Sequence, residues 1–143
     1  MAVEASFNLG DLYLKHAFFL STVLSNFLAE GKGVATDDYQ QALKIRLDLQ
    51  EELETFLKGY DAIITPPTTG EAPATLEQTG SPGFCSIWSL CGVPAVTIPV
   101  GFGPGGLPLG IQRVGRQGKD GLLLATARWC ERLFPFPIWR EKG

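Results

Sequence analysis

The chain has 143 residues, 45% of them hydrophobic and 19% charged, with a mean hydropathy of +0.10 and a net charge of −3. That excludes a disordered chain, and the length suffices for one core, so a single domain over residues 1–143 is expected. The mild acidity excludes a global field for nucleic acid or an anionic membrane. The charge is nonetheless uneven: residues 1–112 carry 5 basic and 12 acidic side chains, whereas 113–143 carry 7 and 3.

The first expected helix runs over residues 10–30. Leu9, Tyr13, Ala17, Leu20, Leu24 and Phe27 recur at steps of three or four, and Leu14, Phe18 and Leu28 widen the stripe. So broad an arc predicts burial on more than one side, with Gly31 and Gly33 as the stop. The apolar run Ala17–Ala29 is interrupted by Ser21, Thr22, Ser25 and Asn26 and is shorter than the roughly 20 apolar residues a bilayer span takes. Glu4 and Asp11 stand where a signal peptide carries positive charge. A soluble cytoplasmic protein with no membrane partner is expected.

The second expected helix covers residues 37–59. Thr36 or Asp37 caps it, and Ala42, Ile45, Leu49, Leu53 and Phe56 mark one face. Asp48, Glu51, Glu52 and Glu54 lie off that face, and Gly59 ends the helix. Residues 60–65 (YDAIIT) read as a short buried strand, stopped by Pro66 and Pro67. Residues 66–83, dense in Pro, Gly and Thr, form a long loop, and loops of that length are often functional. Phe84–Cys91 fits a short helix capped by Ser81 or the turn before it, with Trp88 facing inward.

Residues 93–100 (VPAVTIPV) are almost wholly apolar and bounded by Gly and Pro, the pattern of a strand buried on both faces. Residues 107–114 (LPLGIQRV) start apolar and become mixed. Between them Phe102–Gly106 supplies positive φ and a fixed bend, so the two strands form a hairpin. Asp120 caps a final helix to about Leu133, with Leu123, Ala127 and Cys130 on its core face. Pro135 and Pro137 stop it, and the FPFPIW tail is expected to pack its aromatics on the body. The order of elements gives an α/β fold, a small mixed sheet of about three strands covered by helices.

Chemistry is harder to find. Gly101-x-Gly103-x-x-Gly106 matches a dinucleotide fingerprint, but Pro104 sits inside it and a strand follows instead of a helix. Without a helix N-terminus there is nothing to cradle a pyrophosphate, so the segment reads as a hairpin loop. His16, the single histidine, has no nucleophile elbow to serve. Cys85, Cys91 and Cys130 include no C-x-x-C pair, which excludes a zinc site of ordinary spacing and favours reduced, buried thiols.

Several linked motifs resemble the amidase signature family. Asp61-Ala62-Ile63-Ile64-Thr65-Pro66 is similar to its D-x-h-h-x-P strand, h being apolar. Gly92-Val93-Pro94-Ala95 with Ile98-Pro99-Val100-Gly101 is similar to its G-x-P-A-h-x-h-P-h-G. Gly106-Leu107-Pro108-Leu109-Gly110-Ile111-Gln112 with Val114-Gly115 is similar to its G-L-P-h-G-h-Q-h-h-G. Asp120, Leu123 and Ala127 resemble its last helix, and Tyr39, Ala42 and Arg46 the helix before the first strand. The resemblance is strong over residues 36–133.

The resemblance implies an α/β fold and carboxamide hydrolysis, or ammonia release from glutamine, by a Lys, a cis-Ser and a nucleophilic Ser. Those residues belong to a lysine-bearing strand and a GGSSGG-type segment, and this sequence contains neither. The chain resembles the C-terminal third of the family, beginning at its own Met, and no position takes a catalytic role. The family's chemistry implies no metal and no cofactor. What carries over is substrate-pocket lining at Pro67 and Thr68 in one segment and at Phe84 and Trp88 in another. Trp88 and Ser89 stand nearer the plain amidases than the tRNA-linked amidotransferases. The expectation is a segment that contributes core sheet and pocket lining and is inactive alone, either a homo-oligomer or paired with a chain carrying the Lys and both Ser. The alternative is a non-enzymatic module for a small amide or acid, or for oligomerisation.

Overall fold

The computed structural model describes residues 1–75 and 79–136. In chain order it forms α1 (Ala2–His16), a 3-10 turn (Ala17–Phe19), α2 (Thr22–Gly33), α3 (Thr36–Leu57), β1 (Ile63–Thr65), α4 (Gly83–Cys91), β2 (Ala95–Phe102), β3 (Pro108–Val114) and α5 (Asp120–Leu133). Contacts divide it into two compact units, Met1–Asp48 and the chain from Leu49 on.

In the first unit the single helix expected over 10–30 is two helices. Ser21 breaks it: its backbone is extended and its Oγ accepts the Leu24 N–H at 3.2 Å, so it starts α2 as an N-cap. The wide apolar arc belongs to two helices, each with a narrower contact stripe. Gly31 is not a stop but the place where α1 and α2 meet. A Cβ there would collide with the Ala2 carbonyl and the Ser6 hydroxyl. Ser6 is buried, with its Oγ 2.6 Å from the Leu28 carbonyl, and Leu28 is 1% exposed. The expected burial on several sides does not occur: Phe18 and Phe19 are 94% and 82% exposed.

In the second unit three strands form one sheet in the order β1-β3-β2. The α/β class and the three strands are as expected, while the pairing is antiparallel throughout rather than mixed. Helix α5 covers one face: Ala127 and Cys130 cluster with Ile98, and Val96, Val100 and Ile111 pack around them. Strand β2 is therefore half-buried, not buried on both faces, because Ala95, Thr97 and Pro99 point the other way and stay exposed. Its apolar run looks continuous because alanine and proline fill outward positions. The centre strand β3 instead buries Gln112, Arg113 and Val114.

Helix α5 has the expected extent, and Leu123, Ala127 and Cys130 are its buried residues. Asp120 is its first residue rather than its cap; Lys119 holds that position with no side-chain bond. Helix α4 follows Pro82, with Ser81 Oγ accepting the Gly83 N–H at 3.2 Å. It ends at Gly92, left-handed at φ 67, whose N–H and that of Val93 satisfy the last carbonyls. Phe136 lies 4.9 Å from the Phe102 ring, in line with the expected packing of the tail, while residues 137–139 of that expectation lie outside the described residues. Cys91 and Cys130 are buried; Cys85, in the first turn of α4, is exposed, against expectation. Among the described residues no helix is long and apolar enough to cross a membrane.

Candidate functional site

Strand β1 ends where Pro66 and Pro67 remove two ladder donors. A cavity of about 480 Å³ opens between the chain that follows and the first turn of α4. Pro67 and Thr68 form one wall, Phe84 another, and Val100, Leu109 and Gly110 the floor. Gly110 is required there: a Cβ would stand 2.7 Å from Thr97 Cγ2 and 3.1 Å from the Ile98 carbonyl. No charged side chain is among the described lining of this groove. A second cavity of about 430 Å³ shares Pro67, Thr68 and Gly110 with it and adds Glu71.

Gln112 fixes the groove from beneath. It is 3% exposed in the centre strand. Its amide donates to Thr65 Oγ1 at 3.2 Å and to the Phe84 carbonyl at 3.0 Å. Its Oε1 lies 3.7 Å from Cys85 Sγ, which in turn sits 3.2 Å from the Pro67 carbonyl. One buried amide thus ties β3 to β1 and to α4, and through Cys85 to Pro67. Sequence reasoning gave Gln112 no separate role; the signal was an uncharged polar residue directly after the apolar run Leu107–Ile111.

The structure brings Pro67, Thr68 and Phe84 together but places Trp88 elsewhere. Trp88 lines a separate depression of about 290 Å³ with Leu49, Leu53 and Phe56 of α3. Four residues of helix separate it from Phe84 by about 6 Å along the axis. Its Nε1 is buried without a partner among the described residues.

Cys85 faces a carbonyl and an amide oxygen, neither of which is a base that could activate it. Burial pushes the Cys91 thiol up, away from the thiolate. Arg113, 4% exposed, donates from Nη1 to the Thr126 carbonyl at 2.7 Å and contacts Cys130 Sγ, which fastens β3 to α5. Among the described residues no three His, Cys, Asp or Glu side chains cluster as metal ligands would.

Residues 13–124 match the family model described as Amidase. The chain is 34% identical over 115 residues to a mitochondrial glutamyl-tRNA(Gln) amidotransferase subunit of Mus musculus, covering 73% of this chain and 22% of that protein. It is 36% identical over 104 residues to the corresponding glutamyl-tRNA(Gln) amidotransferase subunit of Thermotoga maritima, covering 68% of this chain and 22% of that protein. Among solved structures, one described as a crystal structure of amidase superposes with a TM-score of 0.79 at 28% identity, covering 93% of this chain and 33% of that one. The chain spans about a fifth of the length of the curated relatives it matches.

Proposed function

The chain belongs to the amidase signature family, and we propose that it supplies the acyl-side wall and part of the core sheet of a carboxamide-processing site. The catalytic Lys and two Ser come from residues outside this sequence, on a partner chain or in further polypeptide. Amide cleavage takes a nucleophile, a proton relay, oxyanion donors and a pocket for the acyl group. The residues at hand provide the last of these.

The observation that carries the reading is the uncharged groove whose two walls, Pro67–Thr68 and Phe84, are joined through buried Gln112. An apolar acyl group fits such walls, and its amide end would face the missing catalytic residues. Trp88, in its own depression, takes no acyl contact in this reading. The protein works in the cytoplasm, as a homo-oligomer or with a partner chain.

The test is ammonia release from small aliphatic and aromatic amides, by the chain alone and mixed with a segment of a relative that carries the Lys and both Ser. Turnover is expected only in the mixture, with Phe84→Ala raising KM. Turnover by the chain alone, abolished by Cys85→Ala, Ser81→Ala or Ser86→Ala, would overturn the reading. Binding of an amide that every mixture leaves intact would favour a binding module.

A further inference from the structure

The glycine-rich loop between β2 and β3, which no nucleotide reading explains, holds a carboxylate of its own. Its N–H groups can be accounted for completely. Gly103 donates to the Leu107 carbonyl at 2.9 Å and Gly106 to the Gly103 carbonyl at 3.0 Å, while Pro104 has no N–H. The remaining two donors, on Gly105 and Leu107, both point at Glu71: Gly105 to Oε2 and Leu107 to Oε1, each at 2.9 Å. A carboxylate gripping two backbone amides, one with each oxygen, is a charge-assisted pair.

The loop is shaped for this occupant. A Cβ on Gly105 would stand 2.6 Å from Glu71 Oε2, and one on Gly103 would overlap the same carboxylate. Both glycines therefore leave room for an anion, and the anion comes from the long loop after β1. Glu71 directly follows the Pro67–Gly70 segment, which forms one wall of the groove and separates it from the adjoining cavity. At its other end the segment is held by Cys85 Sγ at the Pro67 carbonyl. The wall is thus pinned at both ends, and Glu71 is the stronger pin.

We propose that Glu71 is a positioning residue of the acyl groove: its carboxylate clasps the amides of Gly105 and Leu107 and holds the Pro67–Gly70 wall over the sheet. The assignment of the groove to an acyl group rests on the function proposed above; the clasp itself does not. Glu71 touches no reacting atom and acts through the wall it anchors.

Amide hydrogen exchange of the full chain, read by NMR, tests the clasp. Glu71→Ala should speed exchange at Gly105 and Leu107 by about tenfold or more, while the Gly106 amide and the β2–β3 ladder stay as protected as before. Gly103→Ala should do the same by evicting the carboxylate, and the double variant should add nothing to either single change. Glu71→Gln, which keeps one acceptor oxygen, should restore protection at one of the two amides. Equal exchange at Gly105 and Leu107 in the unchanged chain and in Glu71→Ala would overturn the clasp, as would additive effects in the double variant. In the reconstituted mixture Glu71→Ala should raise KM with kcat kept, and Glu71→Gln should recover part of it; a fall in kcat alone would overturn the positioning role. A mixture with no turnover at all removes the amidase reading, and with it the positioning role, while exchange still decides the clasp.

Discussion

The two units of the molecule start from similarly apolar sequence and use it differently. From Leu49 on, Leu57, Cys91, Ile98, Val114, Leu123, Ala127 and Cys130 are all buried, and Ile98, Ala127 and Cys130 cluster between the sheet and α5. In Met1–Asp48, Leu28 is the fully buried large apolar side chain among the described residues, while Phe7, Leu14, Phe18, Phe19 and Val23 stay largely exposed. Helices of the first unit form from local periodicity and one cap. A core needs a second layer at the right distance, which the sheet supplies in the second unit and nothing described supplies in the first.

The largest expected effect separates the units directly. Leu123 is 2% exposed and lies against Gly115, so Leu123→Ala should cost about 2–5 kcal/mol in urea unfolding. Phe18→Ala, with the larger side chain removed, should stay within about 0.5 kcal/mol. Similar losses for the two would mean that Phe18 has a partner in solution and that the contrast between the units is wrong.

Next comes the polar heart of the second unit. Gln112→Leu keeps the volume roughly but leaves the Phe84 carbonyl and Thr65 hydroxyl without their donor, at a cost of about 1–3 kcal/mol. It should also weaken the groove, since Phe84 and Pro67 lose their common tether. A stable Gln112→Leu chain that retains amide binding would show that the sheet alone sets the groove. In the first unit the corresponding lesion is Gly31→Ala. Its Cβ meets the Ala2 backbone, which cannot swing aside, so α1 and α2 must part at about 1–3 kcal/mol. Thermal melting followed by circular dichroism should show the loss; an unchanged melt would mean that the α1–α2 contact is already loose.

What was legible in the sequence follows the same division. Helix α5 could be read because Leu123, Ala127 and Cys130 repeat at helical spacing and face one sheet. The hairpin could be read because glycines and prolines bound its strands. The break at Ser21 was legible in principle, since a serine three residues before Leu24 is a cap, but unbroken apolar periodicity on either side masked it. Burial of β2 on one face only was not legible, because alanine and proline do not say which way they point. Pro67, Thr68 and Phe84 could be placed near one another through family motifs, whereas the separation of Trp88 depends on where α3 lies along α4. The Glu71 clasp could not be foreseen: its partners are more than thirty residues away, in a second loop, and are backbone amides with no side-chain signature.

The smallest expected effect concerns the surface ion pair of the second unit. Arg116 donates to Glu54 Oε1 from Nε at 2.9 Å and from Nη2 as well. That hydrogen bonding holds the Glu54 carboxyl below its ordinary value of 4.5. The unfolded chain then binds the proton at a higher pH than the folded one, so the pair's contribution is complete above 4.5 and is lost as pH falls through the lowered folded value. Glu54→Gln should therefore lower the urea midpoint slightly at pH 7, and the gap to the unchanged chain should close as the pH falls below 4.5. Added salt should narrow it at pH 7 too, since both side chains are partly open to solvent, at 33% and 41%. A gap that persists in acid and in high salt would assign the loss to packing of the Glu54 stem on the unit that holds the core, and would move this contact from the surface to the interior side of the contrast.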